Sequence, residues 1–180
     1  MAMTTRHRTI IRRAAVGGAA VALLTVGTAG AASAVTDTDS TTGSVEVAGE
    51  ITLTALAGDF TLSGLPGDTV DGPGAVTFNV ETNNLAGYGV TVQSATATMA
   101  AQTAGNGDSI PIGALSVRET DAEDPTAAYA AVSTTATPVH TQATRSAEGG
   151  DALSNDYSVI IPFVNQDTYT ATLDYIAATL

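Results

Sequence analysis

From Ile51 onward the chain alternates apolar and polar side chains with period two, and that periodicity restricts what it can become. Ile51, Leu53 and Ala55 interleave with Thr52 and Thr54, and Val76, Phe78 and Val80 with Thr77, Asn79 and Glu81. Tyr88, Val90 and Val92 repeat the pattern around Gly89 and Thr91. Side chains two apart share one face of a strand, so each run buries one face and wets the other. Parallel sheets are covered on both faces, and this pattern therefore favours antiparallel pairing. The runs are short, rich in β-branched and aromatic residues, and bounded by Gly, Asn, Asp or Pro. After the leader, no helix-length run carries a convincing 3.6-residue period. The Ala-rich stretch 95–104 alternates through Thr96 and Thr98 instead.

An all-β, antiparallel β-sandwich of seven to nine strands follows, Ig-like or Greek-key in connectivity. Val45 and Val47, alternating with Ser44 and Glu46, read as its first strand, with Phe60 and Leu62 following Ile51–Ala55 and a Gly- and Pro-rich turn at 64–74. Ile110–Val117, Tyr129–Val132 and Pro138–Gln142 supply the middle strands, and 101–109, 119–127 and 143–155 the loops. At the end, Tyr157, Val159, Ile161 and Phe163 alternate in one run and Tyr169, Ala171, Leu173 and Tyr175 in the next. Closed as a hairpin through Val164–Asp167, they would pair Phe163 with Tyr169 and Tyr157 with Tyr175. Pro162 would then sit at an edge or a bulge.

The start of the chain reads as an export signal. Arg6, Arg8, Arg12 and Arg13 precede an uncharged run from Ala14, and Ala32-Ser33-Ala34 offers small residues for cleavage before Val35. Residues 1–34 are thus expected to be a signal peptide, 35–44 a flexible lead-in and 45–180 the β-sandwich domain. The run is short, Gly-rich and interrupted by Thr25 and Thr28, which suits cleavage better than a membrane span. The flanks of Arg12-Arg13 match a twin-arginine signal poorly.

Charge narrows the partners. All 18 acids lie beyond Ala34, where only Arg118 and Arg145 oppose them, a formal charge of −16 for the part expected to be exported. Without a basic patch, nucleic acid and anionic lipid are disfavoured partners. With no Cys, the exported domain has to hold together by packing and sheet hydrogen bonds, and thiolate zinc sites are excluded. The absence of Lys excludes pilin-type Lys–Asn cross-links. No C-terminal sorting motif or hydrophobic tail is visible, which argues against covalent wall anchoring.

Catalytic signals are thin. Past the leader His140 is the one histidine, with no G-x-S-x-G or H-E-x-x-H around it, and a Ser–His–Asp site needs several ordered partners. A lone histidine in a Thr-rich strand reads as a surface residue. Paired carboxylates for glycoside hydrolysis lack the Trp platforms that sugar clefts favour. Calcium is the cofactor that the loop acids would suit: Glu119, Asp121, Glu123 and Asp124 crowd one loop, Asp68 and Asp71 a second, Asn106 and Asp108 a third. None has EF-hand spacing, and solvated acidic loops explain them equally well. The Thr-x-Thr faces show no fixed repeat of the kind ice binding requires.

Two stretches carry a family resemblance. Asp156-Tyr157-Ser158-Val159-Ile160-Ile161-Pro162 with Tyr169-Thr170-Ala171-Thr172-Leu173-Asp174-Tyr175 resembles the closing strands of WxL-type surface domains, and Gly87-Tyr88-Gly89-Val90-Thr91-Val92 is similar to their earlier Gly-aromatic strand. Where the family has Trp-x-Leu, this chain has Tyr88-Gly89-Val90 and Tyr175-Ile176-Ala177. The resemblance implies a secreted domain held non-covalently at the cell wall. The expectation is a non-enzymatic surface or secreted module whose partner is a wall polymer or surface protein. The rival is a fibre or matrix subunit donating Ser44–Leu56 to a neighbour. A secreted hydrolase ranks third.

Overall fold

The computed structural model describes residues 34–120 and 127–180. The chain divides into two units, Met1–Ser44 and Val45–Leu180. In the first, the described residues 34–44 are exposed and without regular secondary structure. The signal-peptide reading of 1–33 lies outside the described residues.

The second unit is all-β and antiparallel. Its strands are β1 (Ile51–Thr54), β2 (Thr69–Thr82), β3 (Tyr88–Ser94), β4 (Thr98–Ala101), β5 (Ser109–Pro111), β6 (Leu115–Glu119), β7 (Ala130–Ala131), β8 (Thr137–Gln142), β9 (Asp151–Ile160), β10 (Tyr169–Thr170) and β11 (Leu173–Thr179), with a 3-10 turn at Ile112–Ala114. Of the eleven strands among the described residues, β7 and β10 are two-residue fragments and β5 has three residues. The larger sheet runs β1-β2-β9-β6-β7, the second β11-β3-β8, and a small third β10-β4-β5.

Inward positions of the two larger sheets meet in one apolar layer. Val76, Phe78 and Val80 of β2, Leu115 and Val117 of β6, and Tyr157 and Val159 of β9 pack with Tyr88, Val90 and Val92 of β3 and Val139 of β8. Each such side chain contributes roughly 1.5–3 kcal/mol through burial, which is how the sandwich closes without a disulfide. Phe60 and Leu62 are half-buried against this layer without forming a strand.

Several expectations are corrected, beginning with the first strand at Val45 and Val47: these residues are exposed and outside any strand, and β1 starts only at Ile51. The C-terminal hairpin does not form: β9 pairs with β2 and β6, whereas β11 crosses to the other sheet and pairs with β3. Tyr157 and Tyr175 still meet, but face to face across the sandwich, hydroxyl to hydroxyl at 2.7 Å. Phe163 is 95% exposed instead of paired with Tyr169. The turn at 64–74 is partly strand, because β2 starts at Thr69 and absorbs Pro73 and Gly74 as a register shift between Gly72 and Val76. The loop at 143–155 ends early, since β9 begins at Asp151.

Gly87 is demanded by space. Its φ is +92°, and a Cβ there would stand 1.9 Å from the carbonyl oxygen of Gln142. The β2–β3 turn therefore lies tight against β8.

Candidate interaction site

One flank of the domain is tied down by polar contacts. Asp156 is buried, and its carboxylate accepts from Gly74 N–H at 2.7 Å, Thr120 Oγ1 at 2.6 Å and Arg118 Nε at 3.0 Å. Gly74 belongs to the β2 irregularity and Arg118 is the cross-strand partner of Asp156, so one side chain fixes three segments. Burial pushes its pKa up, but the bonds from Thr120, Gly74 and Arg118 prevail and hold it below the usual carboxylate range. The Arg118 guanidinium also lies 4.6 Å over the Tyr129 ring.

At the margin of the sandwich, Glu119 at the end of β6, its side chain 40% exposed, reaches His140 of β8, Oε1 to Nδ1 at 2.6 Å, and so joins the two large sheets. The expectation of a surface histidine is corrected: the His140 side chain is only 10% exposed, and its ring packs 5.3 Å from that of Tyr88. Asn155, the cross-strand neighbour of Glu119, is fully buried. Its amide nitrogen and oxygen and His140 Nε2 have no hydrogen-bond partner among the described residues. Nearby, Asp151 accepts from Tyr88 Oη at 2.8 Å, Gln142 Nε2 at 3.0 Å and Ala147 N–H at 3.0 Å. Burial opposes these bonds, yet they keep Asp151 below its ordinary range; burial and the adjacent carboxylate push Tyr88 up. Burial likewise raises Tyr157 to about 12, and it raises Tyr175 as well, so both hydroxyls are neutral.

Among the described loop acids, Glu119, Asp68 and Asp108 make hydrogen bonds within the fold. Glu119 is committed to His140, and Asp121, Glu123 and Asp124 lie outside the described residues. Asp68 accepts from Leu65 N–H at 2.8 Å and closes its turn. Asn106 and Asp108 join Asp167 and Asn165: Asn106 Nδ2 donates to Asp167 at 2.8 Å, and Asp108 accepts from Asn165 N–H at 2.8 Å. The bond from Asn106, with those from the Thr103 and Thr168 N–H groups, pulls Asp167 down to about 2. Among the described residues, no three His, Cys, Asp or Glu side chains stand together as a metal site.

The opposite flank is built differently. Residues 45–49 precede β1 as an exposed arm, with Val45 93% and Val47 77% exposed. The side chain of Asn83, just past the end of β2, holds its root. Asn83 Nδ2 donates to Ala48 O at 2.7 Å and Oδ1 accepts from Glu50 N–H at 2.8 Å, as one more rung of a ladder would. Beside this root an open groove of about 470 Å³ is lined by Glu50, Glu81, Asn83, Arg145, Ser146 and Glu148, among others. A groove with three carboxylates and one guanidinium suits a polar ligand carrying amino groups.

No family model and no curated protein matches this chain. Tyr88–Val90 and Tyr175–Ala177 lie on the paired strands β3 and β11.

Sequence reasoning missed the inward Glu119–His140 pair, since nothing in spacing across 21 residues marks a contact between two sheets. It also missed Asn83 as the anchor of the arm; the Asn83-Asn84 pair alone reads as a turn signal.

Proposed function

We propose that this chain is an exported, non-enzymatic, surface-associated module, a binding or structural element held at the wall without a covalent link. The observation that carries the reading is where its best-placed polar groups end. Asp156, Asp151 and Asp167 each accept several hydrogen bonds from segments they fasten, as structural groups do. The polar groove at the root of the arm supports contact with a wall polymer bearing amino groups or with a surface protein. Fractionating producing cells into wall, membrane and medium tests the location. Cosedimentation with isolated walls, with and without Glu81→Gln and Glu148→Gln, tests the binding. Release of the protein by high salt is expected; retention in the membrane fraction, or no sedimentation with walls, would defeat the proposal.

A second reading has its own observation. The exposed arm with alternating Val45 and Val47 favours a strand-donating subunit of a fibre or matrix. Loss of assembly on deleting residues 35–56 would support it.

A further inference from the structure

We infer that the acceptor for the arm is the outer edge of β11 in a second copy of this chain; the inference rests on the strand-donating reading. Exposed edges invite pairing, and proteins guard them with brevity, proline or bulges. The edges of this domain can be compared on those terms. β1 has four residues, β7 and β10 two each, and β5 three with Pro111 at its end. β8 carries Pro138 and bulges at Val139, where its register against β3 shifts between Val90 and Thr91. β11 has no break of this kind, although β1 of its own chain stands beside its flank. Its seven residues, Leu173–Thr179, pair with β3 without a register break and contain no Pro or Gly.

The ladder shows which of its groups face outward. Thr172 O accepts from Ala95 N–H at one end of β11, and Leu180 N–H donates to Gly87 O at the other. In an antiparallel ladder, alternate residues turn their N–H and C=O to the same neighbour. Asp174, Ile176 and Ala178 therefore bond β3, and Leu173, Tyr175, Ala177 and Thr179 present their backbone groups to the bare side. On the core face, Leu173, Tyr175 and Ala177 are only half-buried, and Ile176 is 45% exposed on the outer face.

The donor has matching character. Val45 and Val47 alternate with Ser44 and Glu46, so both valines fall on one face of an extended segment. Asn83 sets the arm leaving the domain in line with β1, past the end of β2. That same end carries the close of β11, where Asn84 Nδ2 donates to Leu180 O at 3.3 Å. An arm aimed beyond this end meets another molecule's edge before its own. Donor and acceptor are different surfaces, so the contact is heterologous and propagates into chains unless it closes into a ring or a reciprocal pair. Glu46 and Asp174 lie on the two sides of the joint in a strongly acidic molecule, so association strengthens as salt screens the repulsion.

The test uses the chain as its cells process it. Sedimentation velocity over a concentration series in about 0.05 M and about 0.5 M salt reads association. Val45→Asn with Val47→Asn changes only exposed positions, and Ala177→Pro removes an outward N–H while leaving every β3 bond intact. Each is expected to weaken association at least tenfold with an unchanged circular dichroism spectrum. Because the chain has no Cys, single cysteines map the joint without background. Val45→Cys should form a disulfide with Ile176→Cys or Ala178→Cys in a second copy and not with Thr141→Cys on β8. A monomer at every concentration would overturn the strand-donating reading and the inference with it. Association that Val45→Asn/Val47→Asn abolishes but Ala177→Pro leaves intact, with cross-links to Thr141→Cys, would keep the reading and overturn β11 as the acceptor.

Discussion

The two flanks of this sandwich are finished in opposite ways. On the β6–β8 side, Asp156 fastens the β2 irregularity, and Glu119 joins the sheets through His140, beside a β8 edge broken by Pro138 and a bulge. On the β1–β11 side, a seven-residue edge runs without proline or bulge beside β1, and an exposed arm projects from a root held by Asn83 and Thr82. Closing one flank with half-buried hydrogen bonds gives stability; leaving the edge of the other unpaired leaves backbone groups for a partner. Stability and interaction are thus carried by separate parts of the fold.

That separation can be broken by experiment. Acid should have the largest effect, because it acts on several fastening carboxylates at once. Asp151, Asp156 and Asp167 have folded pKa values below their unfolded ones, so their contribution is complete above about pH 4 and lost as pH falls through the folded values, for Asp167 near about 2. The thermal midpoint should fall steeply between these limits and stay flat from about pH 5 to 7. A flat profile down to pH 2 would mean that these carboxylates fasten nothing. Asp156→Ala comes next, with an expected loss of about 3 kcal/mol in urea unfolding, since it strips the β2 irregularity, Thr120 and Arg118 of a common acceptor. Glu119→Ala should cost about 2 kcal/mol by leaving His140 Nδ1 buried without its partner. On the other flank, Ala177→Pro should change monomer stability by less than about 0.5 kcal/mol while association disappears. A large loss of stability from Ala177→Pro would collapse the distinction between the flanks.

Much of the fold was legible because the core strands bury one face and wet the other. Val76-Thr77-Phe78-Asn79-Val80 and Tyr88-Gly89-Val90-Thr91-Val92 point inward where their alternation says. The same rule misled at the C-terminus. Strands facing each other across a sandwich show the same inward alternation as strands paired in a hairpin, so Tyr157 and Tyr175 met as expected but from opposite sheets. Alternation also cannot tell a buried strand from an exposed segment, as Val45 and Val47 show. The candidate site was legible only in part. Exposed loop acids are visible as composition, whereas the roles of Asp156, Glu119 and Asn83 depend on contacts between residues more than 20 positions apart.

Hydrogen exchange at four amides reaches the central claim most directly. Leu173, Tyr175, Ala177 and Thr179 turn their N–H groups away from β3, so within one molecule these amides should exchange fast while those of Asp174, Ile176 and Ala178 are slow. Raising the protein concentration should protect the four, and Val45→Asn with Val47→Asn should abolish that protection. Exchange at the four amides that ignores both concentration and the arm would contradict the account.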